Sequence, residues 1–392
     1  MKFIWISFLP FIVCQTLKDV LKLTWNGIKE RNIDPYDIKL VHRPYSETPN
    51  DAVSEGVGYG LLLALYLDDQ TYFNMILESA EQFMWNGQFY DWNVDMYGNK
   101  LNIGAATDAE QDIAFSLIMA SRKVKKGEWK EHLNPSYIER YQLILNNMWN
   151  LKMISDTLNV APGAGWGGID FMNPGYCAPA WYRVFKEVDT LEHDWDSVIQ
   201  HCYNTIKNNV GYKNGLLSDW TTVNGDYYDG NLGYNNYGRG KYLFKDAIRV
   251  YWRIGTDYLW FNSYESKEFL SNAFEFIRTK NDSMGCNFYT MDGELLPYED
   301  IWIFDGGQRQ RPRREHSHLT IGMWSIVPKV LNESNWIEYE KELLSYYESN
   351  KTYWGKTKDE INEEDIEHNE MYFDQFLASF GALILAEQWR LL

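Results

Sequence analysis

Apolar residues recur three and four positions apart through most of this chain, and strict two-residue alternation is scarce. The spacing predicts helices over 17–31, 54–67, 70–85, 107–122, 137–151, 176–188, 193–209, 244–260, 264–279, 316–330, 335–349 and 369–389. Twelve medium-length helices without intervening strands suit a closed toroid of helical hairpins as well as a solenoid. No repeat of fixed length runs through the sequence, which argues against the solenoid. No Pro- or Ser-rich linker divides it, so one domain is expected over 16–392. Three long connections interrupt the helices: 86–106, rich in Trp, Tyr, Asp and Asn; 210–243, with Asn224-Gly225-Asp226-Tyr227-Tyr228-Asp229; and 280–315, ending in the basic run Arg309, Arg311, Arg313 and Arg314. Loops of this length in a compact domain are usually functional or disordered. The second has the residues of a sugar-facing wall and equally those of a flap, and the basic run reads as a solvated loop.

The N-terminus breaks the pattern. Lys2 is followed by an apolar stretch to Cys14, shorter than the about 20 residues of a membrane span. Residues 1–15 are therefore expected to be a secretory leader, with a buried first strand as the alternative. Sequons at Asn281, Asn332 and Asn350 are compatible with secretion. Without the leader, Cys177, Cys202 and Cys286 remain, an odd number that excludes a disulfide scaffold and shows no zinc spacing.

Composition changes the picture in two places. The chain has 37 basic and 55 acidic residues, a net charge of −18, which repels phosphate backbones and excludes nucleic acid as the first expectation. Its 17 Trp, 28 Tyr and 19 Phe amount to 16%. A core can absorb many of these, and so can a cleft that stacks the flat apolar faces of sugars.

Four segments place acids or aromatics beside Gly or Pro at a helix edge. In Ser54-Glu55-Gly56-Val57-Gly58-Tyr59-Gly60, the glycines permit close backbone approach, and Glu55 is either a protonated carboxyl facing apolar neighbours or a dipole partner behind a Ser54 cap. In Ala106-Thr107-Asp108-Ala109-Glu110, Thr107 and Glu110 read as a capping box, while Asp108 is left to face a cleft or favour the dipole. Asn173-Pro174-Gly175-Tyr176 turns into a helix carrying Trp181, a residue type found more often in cores than on ligand platforms. Asp246, Arg249 and Arg253 share one face of an otherwise apolar helix, as a surface ion pair or as buried charges with a purpose.

Together these segments resemble glycoside hydrolase family 8, over about Trp25 to Trp389, with weaker echoes at Ser218-Asp219-Trp220 and Tyr372-Phe373-Asp374. The resemblance implies an all-α fold, an (α/α)6 barrel of six helical hairpins. It implies inversion with Glu55 as general acid and Asp246 as general base, carboxyl groups about 6.5–9.5 Å apart to admit a water. It also implies that Arg249 orients Asp246, that Asp108 grips the distorted sugar, and that Tyr176 contacts that sugar or the water. Trp92 is expected as a stacking platform, with Tyr59, Trp181 and Tyr372 as further substrate contacts. The family usually has Asp where this chain has Glu110, a change that a capping role would tolerate. Asp246 and the Asp108-Ala109-Glu110 motif favour an endo-β-1,4-glucanase, secreted and monomeric, without cofactor or metal. Chitosanase and endo-xylanase are the alternatives of the same family, and a glycan-binding protein on the same barrel that has lost catalysis is the alternative of a different class. A metal-dependent cyclase has little support, because His316-Ser317-His318 is the closest His pair and has no Cys partner.

Overall fold

The computed structural model describes residues 16–44, 46, 48–228, 240–244, 246–280, 284–286, 289–295, 303–305, 308–310, 316–350, 352–355 and 372–392. The expected leader, the sequon at Asn281, most of the Tyr/Asn-rich stretch after Tyr228, and Arg311, Arg313 and Arg314 lie outside the described residues.

Six helical units close a ring: α2 (Ser54–Tyr66), α4 (Thr107–Lys125), α6 (Pro179–Val188), α8 (Val250–Phe261), the pair α10 (His318–Trp324) and α11 (Ile326–Leu331), and α13 (Tyr372–Leu385). Each packs on the next, and α13 returns to α2. Six others cover them outside: α1 (Leu17–Ile28) on α13, α3 (Gln70–Phe83) on α2, α5 (Tyr137–Asn150) on α4, α7 (Trp195–Asn208) on α6, α9 (Tyr264–Arg278) on α8, and α12 (Trp336–Ser345) on α10 and α13. This is the expected (α/α)6 barrel.

The two rings differ as their sequences require. An outer helix buries one stripe; α3 buries Phe73, Ile76, Leu77 and Ala80. An inner helix is enclosed all round, and in α2 every residue except Glu55 is buried. Much of the aromatic excess fills the barrel. Trp181 stacks on Phe115 with centroids 3.8 Å apart, Trp252 on Phe380 at 4.6 Å, and Trp389 on Tyr66 at 4.2 Å.

The helix expected over 316–330 breaks at Ser325 into α10 and α11. Pro328 has no N–H for the Trp324 carbonyl, so the ladder cannot run through. Short strands escaped the periodicity. β1 (His42–Arg43), β2 (Asp51–Val53), β3 (Asn93–Val94) and β4 (Lys100–Asn102) form an antiparallel sheet in that order. Runs of two or three residues are too short to show alternation. This sheet sits where α2 begins, since the Ser54 N–H donates to the Trp92 carbonyl at 3.0 Å. No described helix is long and apolar enough to cross a membrane.

Candidate active site

Successive hairpins return the chain, so the inner helices all start at one rim of the barrel. Glu55 and Asp108 are the second residues of α2 and α4, Arg249 ends the 3-10 turn Ala247–Arg249 that enters α8, and Tyr372 opens α13. Backbone proximity depends on the glycines. A Cβ on Gly58 would lie 2.8 Å from the Asp112 Cβ, so Gly58 lets α2 seat against α4. A Cβ on Gly175 would lie 2.5 Å from the Asp246 carbonyl oxygen, so Gly175 brings the Tyr176 turn against the Asp246 backbone. Asp219 fixes the same segment by accepting the Phe244 and Ala247 N–H groups at 3.0 and 2.9 Å.

Four ionisable groups meet there. Arg249, whose side chain is 1% exposed, donates through Nη1 to Glu55 Oε2 at 2.6 Å and Asp108 Oδ2 at 2.8 Å. The Tyr59 hydroxyl lies 3.3 Å from the same nitrogen. The other terminal nitrogen, Nη2, is 3.6 Å from Asp246 Oδ1. One guanidinium therefore touches both carboxyl groups expected to act as acid and base. It limits the distance between the touched oxygens to about 8.5 Å, a bound compatible with the about 6.5–9.5 Å of inverting pairs. Tyr176 and Phe373 lie against the guanidinium, with centroids 5.0 and 5.5 Å from its carbon.

Burial pushes the Glu55 carboxyl up to about 8. Arg249 opposes the shift, nearby Asp108 adds to it, and the Tyr372 hydroxyl bonded to Oε1 opposes it. Glu55 thus carries a proton at neutral pH, and 18% of its side chain is exposed. Asp246, with 25% exposed, is the second acid open to a ligand, whereas Asp108 shows 2%. A protonated carboxyl and a second carboxyl on one buried cation are the parts needed to protonate a leaving oxygen and to activate a water.

A second rung supports the first. Asp112, one turn beyond Asp108, receives Arg253 at 2.5 and 2.8 Å and the Trp181 Nε1–H at 2.7 Å. Arg253 in α8 lies one turn beyond Arg249 in the 3-10 turn that enters it, so paired acids on α4 face paired arginines in a ladder. Neither Asp112 nor Arg43, which lies near Glu55 and Tyr372 while bound to Asp51, was singled out from sequence. The four-residue spacing of the two acids and the two arginines was the available signal for Asp112.

Several expectations change. Tyr59 is fully buried and Trp181 is 1% exposed, so neither presents a face to a sugar; each braces a charged partner instead. Asp108 has Oδ2 on Arg249 and Oδ1 on the Ala109 N–H at 3.0 Å, so it anchors the guanidinium. Arg249 is bonded more closely to Glu55 and Asp108 than to Asp246. Ser54 and Thr107 do not cap; they are the first residues of helices whose caps are Val53 and Ala106. Tyr372 donates its hydroxyl to Glu55 Oε1. Tyr176 and Trp92 are half-buried at the rim. A tryptophan that the sequence reading passed over, Trp166, is 46% exposed and packs edge-on against Phe171 and Trp220. Its loop docks on the start of α4 through Ala164 N–H to Ala105 O, 3.3 Å, and Thr107 N–H to Pro162 O, 3.1 Å.

Glu110 is not a capping residue either. It is fully buried; Oε1 accepts the Tyr90 N–H at 2.7 Å, and Oε2 meets no partner among the described residues. Burial pushes its carboxyl up to about 8 against the pull of that N–H. Folded protein thus keeps a proton that unfolded chain releases above its ordinary value of 4.5, so this group's contribution falls as pH rises through about 8. A Glu110→Gln variant, which copies the neutral acid, is expected to flatten the decline of melting temperature between pH 5 and 9. Melts that decline as steeply as those of the wild type would assign the slope elsewhere.

The sequence model of glycosyl hydrolases family 8 matches residues 24–292, more than half the chain. The chain belongs to this family. It is 35% identical to Endoglucanase 2 of Ruminiclostridium josui over 287 residues, which cover 71% of this chain and 58% of that protein. It is 31% identical to Endoglucanase A of Acetivibrio thermocellus, with 71% and 57% covered. The chain thus spans just over half the length of these curated relatives. Among solved structures, Rex8A from Paenibacillus barcinonensis, complexed with xylose, superposes with a TM-score of 0.70 at 17% identity, covering 96% of this chain and 95% of that one, and so shares the fold. Within the family frame, the cluster on Arg249 occupies the motifs that carried the resemblance: Glu55 in the first, Asp108 in the second, Tyr176 in the third and Asp246 with Arg249 in the fourth.

Proposed function

We propose that this protein is an inverting endo-β-1,4-glucanase in which Glu55 protonates the glycosidic oxygen and Asp246 activates the attacking water. The observation that carries the reading is the single buried guanidinium of Arg249, which holds a carboxyl kept protonated near neutral pH and reaches a second, exposed carboxyl. Glu55, whose Oε1 accepts the Tyr372 hydroxyl, holds its proton until a glycosidic oxygen takes it. Asp246 then draws a proton from a water on the other face of the sugar as the C–O bond breaks. Arg249, anchored by Asp108, stays charged throughout and fixes both carboxyl groups. Trp92 and Trp166 stand at the starts of α2 and α4, where their rings suit the apolar faces of successive sugars. The endoglucanase names of the relatives at 31–35% identity support glucan over xylan. Secretion behind residues 1–15 and action as a monomer belong to the same reading.

Reducing-end release from carboxymethylcellulose, mixed-linkage β-glucan, xylan and chitosan, measured in parallel, tests the substrate. Release confined to the two glucans is expected. Cleavage of xylan or of cationic chitosan instead, the latter a match for the net charge of −18, would overturn the substrate assignment.

A further inference from the structure

A pocket unrelated to the Arg249 cluster lies on the flank of the barrel. It has a volume of about 190 Å³ and opens between α7 and α9, over Gln200, Tyr203, Asn204 and Lys207 on the first, Tyr264, Glu265 and Glu268 on the second, and Tyr212 between them. That volume is on the scale of one pyranose residue, below the about 300–1,000 Å³ of pockets that enclose drug-sized molecules. Its floor is fixed. Tyr203 is 4% exposed and donates to Asp257 Oδ2 at 2.6 Å, and Asp257 is clamped by Arg183 at 2.8 Å. Glu268, beside Tyr212 in the pocket lining, lies 3.5 Å from Lys207, and Gln200 donates to Asn204 at 3.0 Å. Above this ordered polar wall stands Tyr264, 73% exposed, so its ring offers a face that the fold does not use.

The combination points to a ligand with an apolar face and hydroxyls at its edge. A ring on one side, with amides and carboxylates around it, matches a pyranose, whose C–H face can lie on the tyrosine while its hydroxyls donate to Glu265 and Glu268 and accept from the amide of Asn204. Lys207 offsets one of the two carboxylates, which makes the pocket a poorer fit for a simple cation. We propose that this flank pocket is a second, non-hydrolytic glucan-binding site, which takes one sugar residue of a β-linked polymer against Tyr264 and keeps the chain close to the barrel. The identity of the sugar rests on the glucanase reading above; the site itself does not involve the residues of that reaction.

The test uses the full chain carrying Glu55→Gln, so that polymer survives, with and without Tyr264→Ala, in gels cast with barley β-glucan. Tyr264→Ala is expected to weaken retardation about three- to ten-fold, on the scale of one lost ring contact. In the otherwise wild-type chain, the same substitution is expected to leave kcat/KM on cellopentaose unchanged. Equal retardation of the two proteins would overturn the proposal, as would binding of tetramethylammonium, and not of glucan, at Tyr264. A wild type that cuts no β-glucan would sink the glucanase reading alone; a wild type that cuts it, with retardation indifferent to Tyr264, would sink only the flank site.

Discussion

A Glu55→Gln variant is expected to lose about 10²–10⁴-fold in kcat/KM on β-1,4-glucan, with the helical fold intact. The amide keeps the size of the side chain and can still meet Arg249 and Tyr372, but it has no proton to give to a departing alkoxide. Leaving-group chemistry separates this cause from a distorted site. A dinitrophenyl glycoside departs without protonation, so the variant should recover most of its activity on one. The pH profile follows from the same proton. Burial raises Glu55 to about 8, and the acid must be protonated to act, so wild-type kcat/KM on glucan should fall as pH rises through about 8. A variant that stays equally defective on the activated substrate would remove Glu55 from the role of acid, and so would a wild type still fully active at pH 10.

Asp246→Asn should be as damaging on glucan and, unlike Glu55→Gln, should remain so on the dinitrophenyl glycoside. Water still has to lose a proton when the leaving group is good, and an amide cannot take it. KM should change little, since Asp246 sits at the end of the guanidinium and the braces for Arg249 come from Glu55, Asp108 and Tyr59. Recovery on the activated substrate would show that another group activates the water.

Much of the barrel was legible in the chain, because amphipathic spacing is a local property and each of twelve expected helices has a counterpart. The break at Ser325 was also written there, as Pro328, and was passed over. Capping boxes misled for a physical reason. A Ser or Thr followed three residues later by Glu is the right pattern, but burial of Thr107 and the demand of the Tyr90 N–H for an acceptor sent Glu110 elsewhere. The four-stranded sheet was invisible because its strands are two or three residues long. Site residues came from motifs, yet their partners did not. Arg249 reaches Glu55 across 194 positions of sequence, a pairing that only the closed ring determines. Local pattern likewise could not tell that Tyr59 turns into the barrel, since an aromatic between glycines suits a cleft and a core equally.

The central claim is that Glu55 and Asp246, held on one guanidinium, act on opposite faces of the sugar. Proton NMR of the first product released from a cello-oligosaccharide tests it most directly. The account predicts that the newly formed reducing end appears first as the α-anomer and then mutarotates. Initial release of the β-anomer would mean retention, and would contradict the assignment of Asp246 as the base that activates water.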